Sequence, residues 1–318
     1  MNKTVVVIIV AMVVTSALAL KKGPGYRKAR HDGAEAYLKV CLVDNEGNGV
    51  SNASIKVFMG MNFRSKGYWI QGKTDTNGVF VVKGKTCGDE IDIFASKDGY
   101  YSSKRKLSFA TMGAERNVKD GKWLPYGAKE TLQLRTINNP VKLSKFGFGM
   151  GKSIPATNTW LGVDMERGDF MQPYGKGSRV DFEVLVEWDG RPPKDSNYCS
   201  AIIRFVSPLS GGYYVSKVQE SEYPYVYAAD KNADYSVSRI KVIDRNRMQM
   251  DGEVPFREDA VLVTRTRCVL DKEGRLESAC YGFIRVFGAD ANWDGKPTMR
   301  LAGIFNPTPN DTNLEPKQ

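Results

Sequence analysis

The fold class of this chain is decided by residues 67–83, which read GYWIQGKTDTNGVFVVK. Two runs rich in aromatic and β-branched residues, 67–73 and 79–83, flank Asp75-Thr76-Asn77-Gly78. Such runs favour strands, and the glycine of the intervening segment supplies the positive φ that a tight turn requires. The segment therefore predicts a β-hairpin.

Short runs with strand character recur along the rest of the chain, while no segment shows a sustained helical period. The runs are residues 37–43, 54–58, 90–95, 130–135, 179–187, 199–206, 236–243, 260–270, 276–287 and 298–305. A second hairpin is predicted through Asp271-Lys272-Glu273-Gly274. We predict an all-β protein: an amino-terminal β-sandwich, followed by a second antiparallel β-sandwich or jelly-roll-like domain.

The turn-rich break Asn138-Asn139-Pro140 marks the predicted domain boundary. We expect a flexible basic segment at 20–36, the first sandwich at 37–138, the second β domain at 139–305 and an extended tail at 306–318.

The first nineteen residues have the pattern of a signal peptide. Lys3 precedes the apolar run 5–14, and Ala17-Leu18-Ala19 supplies the small-x-small pattern that predicts cleavage after Ala19. The apolar run is shorter than the roughly 20 residues of a membrane-spanning helix. We expect a secreted, periplasmic or cell-surface protein with no transmembrane span. Because five basic side chains follow directly, an uncleaved amino-terminal membrane anchor is the alternative.

The composition is that of a globular protein with a basic surface. The 318 residues are 42% hydrophobic and carry a net charge of +10. A basic surface attracts nucleic acids, anionic lipids or acidic glycans. Since export excludes most nucleic-acid roles, a glycan or an acidic surface polymer is the expected partner.

Two pairs among the five cysteines invite a disulfide in an exported protein. Cys41 and Cys87 fall within one predicted domain and could pair. Cys268 and Cys280 lie on the two arms of the second hairpin, where the register sets Cys268 opposite Ser278, so a bridge there needs a β-bulge. Buried unpaired thiols are the equally open alternative.

The residues that carry most enzyme chemistry are missing from this sequence. The single histidine, His31, falls in the segment expected to be flexible, whereas nucleophilic catalysis needs a positioned histidine. No C-x-x-C pair and no glycine-rich loop before a helix occur. We predict no catalytic residue, cofactor or metal site. A pair of carboxylates stays open as a glycosidase arrangement, with candidates Asp164, Glu166, Asp169 and Glu187.

Aromatic residues are the positive indication of binding. Tyr223, Tyr225 and Tyr227 alternate along an extended segment, which places their rings on one face. Together with Trp123 and Trp293, they are the candidate ligand-binding residues. Exposed rings of this kind stack on sugars, although the same residues also cap the ends of β-sandwich cores. The basic run 104–106, together with Arg116, Lys119 and Lys122, is a candidate contact for an acidic glycan or surface polymer.

Three motifs of the first domain occur in a characteristic order: 43–55, 74–80 and 95–100. In this order they resemble the carboxypeptidase regulatory-like domain, a prealbumin-like Greek-key β-sandwich, over about residues 37–110. The resemblance implies a non-catalytic accessory module. Further motifs, including 123–125, 139–141 and 306–315, resemble a family of exported bacterial proteins that carry this module.

We therefore expect an exported, non-catalytic binding or accessory protein. The alternatives are a carbohydrate-active hydrolase using carboxylates of the second domain, or a structural protein of cell-envelope assembly.

Overall fold

The structure of the protein is a computed structural model, and its all-β architecture confirms the predicted fold class. It describes residues 24–60, 67–109, 118–148, 154–188, 199–217, 221–243, 260–291 and 297–317. The predicted signal peptide, with its cleavage after Ala19, lies outside these residues.

The first part of the chain contains a helix and ten strands within the described ranges. They are α1 (Pro24–Asp32), β1 (Ala34–Val43), β2 (Ser54–Met59), β3 (Tyr68–Lys73), β4 (Val79–Thr86), β5 (Glu90–Ser96), β6 (Tyr100–Tyr101), β7 (Ser103–Ser108), β8 (Val118–Lys119), β9 (Lys122–Trp123) and β10 (Ala128–Gln133).

The remaining described strands follow after Leu134. They are β11 (Arg135–Thr136), β12 (Ser144–Phe148), β13 (Trp160–Asp164), β14 (Asp169–Phe170), β15 (Phe182–Trp188), β16 (Cys199–Arg204), β17 (Gly211–Ser216), β18 (Arg239–Ile243), β19 (Ala260–Leu270), β20 (Leu276–Ala291) and β21 (Pro297–Asn306).

The chain divides into two compact units. The first lies within Met1–Asp98 and Ser102–Leu134, and the second within Gly99–Tyr101 and Arg135–Gln318. The division after Leu134 precedes the break at Asn138-Asn139-Pro140. Residues 99–101 belong to the second unit because β6 pairs with β11, which no local pattern indicates.

The first unit is a sandwich of two sheets. In one sheet β1 pairs with β4 on one side and with β10 and β9 on the other, and β9 pairs with β8. The second sheet has the order β3-β2-β5-β7. Side chains alternate as the strand period requires, so that Leu38, Val40, Ile55, Val57 and Ile93 are fully buried.

The turn at Asp75–Gly78 forms as predicted, but the predicted hairpin does not. Two backbone N–H groups, those of Asn77 and Val79, donate to the Asp75 carboxylate, and Gly78 has a φ of 77°. The two arms nevertheless belong to different sheets, because β3 pairs with β2 and β4 pairs with β1.

The arms separate because they face each other across the interior of the sandwich. A Cβ atom at Gly72 would lie 2.5 Å from the ring of Phe80, so the missing side chain makes room for that ring. The hydroxyl of Thr74 donates to the carbonyl of Val50 and accepts from the N–H of Ala53, which directs the end of β3 toward β2.

The predicted flexible segment at 20–36 is corrected where the structure describes it. Residues 24–32 form α1, and β1 already begins at Ala34. Tyr26 and Ala29 lie three positions apart on one face of the helix and are buried. The hydroxyl of Tyr26 also donates to Asp89 at 2.9 Å. A nine-residue helix is too short to give a periodic signal among its basic residues.

Neither predicted cysteine pair forms a disulfide. Cys41 lies opposite Val79, whereas Cys87 follows Thr86, which lies opposite Ala34 at the other end of β1. This separates them by roughly 24 Å along the strand, far beyond the reach of a disulfide. Cys268 does lie at an irregularity of the β19–β20 pair, but it packs on the opposite face of its sheet from Cys280, and all four thiols are free.

The second unit contains two antiparallel five-stranded sheets. Their orders are β12-β21-β20-β19-β17 and β14-β13-β15-β16-β18. The hairpin predicted through Asp271–Gly274 joins β19 to β20. One core cluster includes Phe182, Ile203 and Ile284, and a second includes Val263, Phe283 and Leu314. Residues 260–264 of β19 and 279–284 of β20 are buried on both faces of the sheet, so these stretches do not show an alternating pattern.

The predicted tail at 306–318 is corrected as well, since its described residues belong to the packed structure. Leu314 is fully buried and Glu315 is 1% exposed. Asn313 forms a β-bridge with Ala228, and Pro316 forms one with Val141. The sequence reads as a loop because these partners lie far away along the chain.

Candidate ligand-binding surface

The three tyrosines predicted to bind a ligand form an internal cluster of the second unit. The ring of Tyr223 lies 5.6 Å from that of Tyr225 and 5.8 Å from that of Tyr227. Tyr223 is 4% exposed, and its hydroxyl lies within hydrogen-bond distance of the carbonyls of Val226 and Leu314, between which its one proton is shared. Its ring and its hydroxyl are thus both engaged within the protein.

The other two tyrosines are half-buried and also have structural partners. Tyr225 packs on Phe283 with ring centroids 4.4 Å apart, and its hydroxyl accepts from Arg285. The hydroxyl of Tyr227 donates to the carbonyl of Thr136, and the guanidinium of Arg135 lies 4.2 Å from its ring. The pKa values of Tyr223 and Tyr225 are raised, chiefly by burial.

A buried carboxylate completes this tyrosine cluster. Glu315 accepts hydrogen bonds from the hydroxyl of Tyr101 at 2.9 Å and from the N–H groups of Asn138 and Asn139 at 2.9 and 2.7 Å. The cluster therefore fastens the carboxyl-terminal segment and leaves no open row of three rings. The prediction of a tyrosine platform at these positions is wrong, since the rings cover the second core instead.

Neither predicted tryptophan supplies an exposed ring in the described structure. Trp123 is fully buried, stacks on Phe109 at 5.5 Å and donates from Nε1 to the carbonyl of Thr86 at 2.9 Å. Trp123 is thus a core residue of the first unit, and its candidacy as a ligand contact is wrong. Trp293 lies outside the described residues.

The four candidate carboxylates all have protein partners. Asp164 accepts from the N–H groups of Glu166, Arg167, Ser178 and Arg179. Asp169 accepts from the N–H groups of Phe170 and Lys176, and Glu187 accepts from the hydroxyl of Ser200. The contacts of these acids are those of turns and strand pairs.

Asp164 also belongs to a buried ionic cluster around Arg267. This arginine contacts Asp164 at 3.1 Å and Asp181 at 2.9 Å, and it also pairs with Glu166. Burial pushes the pKa of Asp164 upward, but hydrogen bonds from three backbone N–H groups and the charge of Arg267 hold it below its usual value.

The most exposed large aromatic side chain of the described residues is Trp69, at 51%. It lies on the outer face of the sheet β3-β2-β5-β7, where its ring is 5.1 Å from that of Phe58 and 5.6 Å from that of Phe94. The Nζ atom of Lys104 follows at 4.8 Å from the Phe94 ring. These four side chains form a line across all four strands, which we term the aromatic line.

Polar and charged side chains surround the aromatic line on the same outer face. They are Ser54, Lys56, Gln71, Lys73, Glu90, Asp92, Ser96, Lys106 and Ser108. Exposed rings with hydrogen-bonding and charged neighbours can stack on the flat face of a ligand and contact its polar edges. This face is the candidate ligand-binding surface.

The sequence-based candidates were the tyrosines of the extended segment 223–227 and two tryptophans, and none of them belongs to the aromatic line. The signal in the sequence was the alternation of side chains between the two faces of each strand. Ile55 and Val57 point inward on β2, which places Phe58 outward, and Ile91 and Ile93 do the same for Phe94. An aromatic residue at a strand position whose alternate neighbours are polar is expected to have an exposed ring.

The basic run 104–106 is divided between the two faces of its sheet. Lys104 and Lys106 lie on the outer face, but Arg105 points the other way, donates to the carbonyl of Thr131 and pairs with Glu130 at 3.2 Å. Lys104 and Lys106 of this run thus belong to the candidate surface, and Arg105 does not.

The described residues contain neither a group of metal-ligating side chains nor a membrane-spanning helix. Within those ranges, no three or more His, Cys, Asp and Glu side chains are placed to hold a metal ion. No helix in that part of the chain has both the length and the hydropathy of a membrane span.

Comparison with known proteins assigns no family. No family model matches the chain, and no curated protein matches it. Among solved structures, 3-chlorocatechol 1,2-dioxygenase from Rhodococcus opacus 1CP matches 33% of this chain and 60% of its own, at 14% identity and a TM-score of 0.25. Catechol 1,2-dioxygenase from Acinetobacter sp. ADP1 matches 34% and 54%, at 12% identity and a TM-score of 0.26.

Hydroxyquinol 1,2-dioxygenase from Pseudomonas putida DLL-E4 gives a similar result, with 33% of this chain, 58% of that chain, 14% identity and a TM-score of 0.24. The matched part thus spans less than two thirds of each enzyme. Likeness at this level carries no argument about activity.

Proposed function

We propose that this chain is an exported, non-catalytic protein that binds a polysaccharide through the outer face of the sheet β3-β2-β5-β7. The observation that carries the proposal is the aromatic line, in which Trp69 is half-exposed and is supported from the side by Phe58 and Phe94. Rings fixed in this way lose little conformational entropy when a sugar stacks on them.

The character of the surrounding face supports a polymer ligand. The face is an open sheet surface whose neighbouring strands lie about 4.8 Å apart, so a chain can cross several strands in an extended form. The resemblance of residues 37–110 to an accessory module and the signal-peptide pattern both favour binding outside the cytoplasm.

The experiment is polysaccharide binding by the full chain and by Trp69→Ala, on a panel of cell-wall, capsular and plant polysaccharides. We expect binding to at least one member and a loss of about tenfold or more in affinity for Trp69→Ala, since stacking aromatics dominate contacts of this kind. Trp69→Phe should retain part of the affinity because it keeps a flat ring.

The matched control is Tyr174→Ala, which removes a 45% exposed aromatic ring from the second unit. Tyr174→Ala should bind as the unchanged chain does. The proposal fails if no polysaccharide binds, or if the Trp69 and Tyr174 variants have the same affinity.

A further inference from the structure

The charges on the candidate ligand-binding surface are distributed unevenly about the aromatic line. Along β5, Glu90 and Asp92 lie on one side of Phe94, and Ser96 lies on the other. Along β3, Gln71 and Lys73 continue away from Trp69 toward the end of the sheet that holds Ser96. The line thus separates an acidic end of the face from an end without carboxylates on these strands.

At the acidic end, the lysines are neutralised by neighbouring carboxylates. Lys104 lies 3.7 Å from Asp92, and Lys106 lies 3.0 Å from Glu90. The hydrogen bond to Glu90 raises the pKa of Lys106, so the lysine stays charged and paired with Glu90. This end offers no net charge to a ligand.

At the other end, two lysines have no such partner. Lys56 and Lys73 are exposed, and neither forms an ion pair with any residue that the structure describes. Lys56 lies opposite Gln71 and Lys73 lies opposite Ser54, so the two lysines are diagonal neighbours on adjacent strands. Diagonal neighbours of this kind lie about 7–8 Å apart, which lets both ammonium groups reach one acidic group.

We infer that the ligand is an acidic polysaccharide, whose sugar rings stack on Trp69 and whose carboxylate or sulfate groups pair with Lys56 and Lys73. The inference rests on the proposed function and names its ligand class. Unpaired exposed cations beside a stacking ring supply the charge complementarity that a uronic acid or a sulfated sugar needs, and a neutral glycan would leave them unused.

The same features weigh against two other occupants. Phe58 and Phe94 are half-buried and lie against their own sheet rather than projecting from it, whereas insertion into a lipid surface requires projecting apolar side chains. In a two-fold interface between two copies of this face, the carboxylates open to Lys56 and Lys73 would be Glu90 and Asp92 of the other copy, and these are already paired with Lys106 and Lys104.

The test compares matched ligands that differ only in charge. Polygalacturonate and its fully methyl-esterified form share a backbone, as do chondroitin sulfate and desulfated, carboxyl-reduced chondroitin. Affinity is measured for the full chain at low and high salt, with vesicles of anionic phospholipid as a third ligand. The variants are Lys56→Gln/Lys73→Gln and, as a control with the same charge change, Lys39→Gln/Lys129→Gln on the outer face of the other sheet.

We expect at least one charged member to bind about tenfold or more tightly than its neutral counterpart, and the difference to shrink in high salt. The Lys56/Lys73 variant should lose that preference, and the Lys39/Lys129 variant should keep it. Circular dichroism of both variants verifies that they remain folded.

Equal binding of charged and neutral members, with affinity still dependent on Trp69, would overturn the acidic ligand and leave the polysaccharide function standing. Binding to the vesicles with none to any polysaccharide would overturn both in favour of a lipid surface. A preference for charged ligands that both lysine variants lose equally would also overturn the inference, because general positive charge would then account for it.

Discussion

The two aromatic clusters of this protein each bring three rings together but have opposite surroundings. The tyrosine cluster of the second unit is closed by Leu314, Arg135 and the buried carboxylate of Glu315. In the aromatic line of the first unit, Trp69 is 51% exposed and, among the described residues, its ring contacts are with Phe58 and Phe94 of the same sheet. The difference shows that a row of rings becomes a core or a surface according to what the rest of the chain places over it.

The tyrosine cluster is also the polar one of the two. Its hydroxyl and guanidinium groups have buried carbonyl and carboxylate partners. Removing one partner of such a hydrogen bond leaves the other buried and unsatisfied, which lowers the free energy of unfolding. The rings of the aromatic line have few polar partners to lose. The two clusters should therefore respond differently to the same kinds of change.

The largest effect is expected from Glu315→Ala. Removing this carboxylate leaves the Tyr101 hydroxyl and the N–H groups of Asn138 and Asn139 without their acceptor. The free energy of unfolding should fall by about 3 kcal/mol. Urea denaturation measures it, with Glu273→Ala as the exposed control. Equal stability of the two variants would mean that the cluster does not hold the carboxyl-terminal segment.

A smaller effect is expected from acid, which should act on the second unit through Asp164. The pKa of this carboxyl is held below its usual value in the folded state, so its contribution to stability is complete above the unfolded pKa of about 3.9. The contribution is lost as the pH falls below that value and through the lowered folded pKa.

The measurement is urea denaturation between pH 6 and pH 2 for the unchanged chain and for Asp164→Asn. Unfolding of the second unit is followed by tryptophan fluorescence, since Trp160 and Trp188 lie in that unit. The Asn variant should be less stable at neutral pH and should lose less stability in acid, since the titrating group is gone. Parallel curves would show that Asp164 does not contribute to the acid sensitivity.

The smallest effect on stability is expected from Trp69→Ala, the variant with the largest expected effect on binding. Because half of this side chain is already exposed, its removal should lower the free energy of unfolding by about 1 kcal/mol or less. A loss as large as that of Glu315→Ala would show that the aromatic line belongs to the core, and would break the contrast between the clusters.

Much of the fold could be read from local pattern. The strand runs at 54–58, 90–95 and 260–270 correspond to β2, β5 and β19, and the turns at Asp75 and Asp271 form as predicted. These features depend on side-chain alternation and on turn residues that act within a few positions. The prediction of a hairpin through Asp75–Gly78 was wrong because a turn sets the direction of the chain but does not determine which strands pair.

The candidate site was far less predictable. Tyr223, Tyr225 and Trp123 have the residue types of a binding surface, but contacts with distant segments of their own units cover them. Trp69, Phe58 and Phe94 come from three strands, and only the register of β3, β2 and β5 brings their rings together.

The sequence by itself determined that this protein is all-β, where most of its strands lie, and that its surface is basic. These properties follow from periodicity and composition, which are local or additive. The tertiary structure alone decided which rings are covered, which lysines lack a carboxylate partner, and that the carboxyl-terminal segment is part of a core. Burial and charge pairing depend on contacts between segments that are far apart along the chain, and no local pattern encodes them.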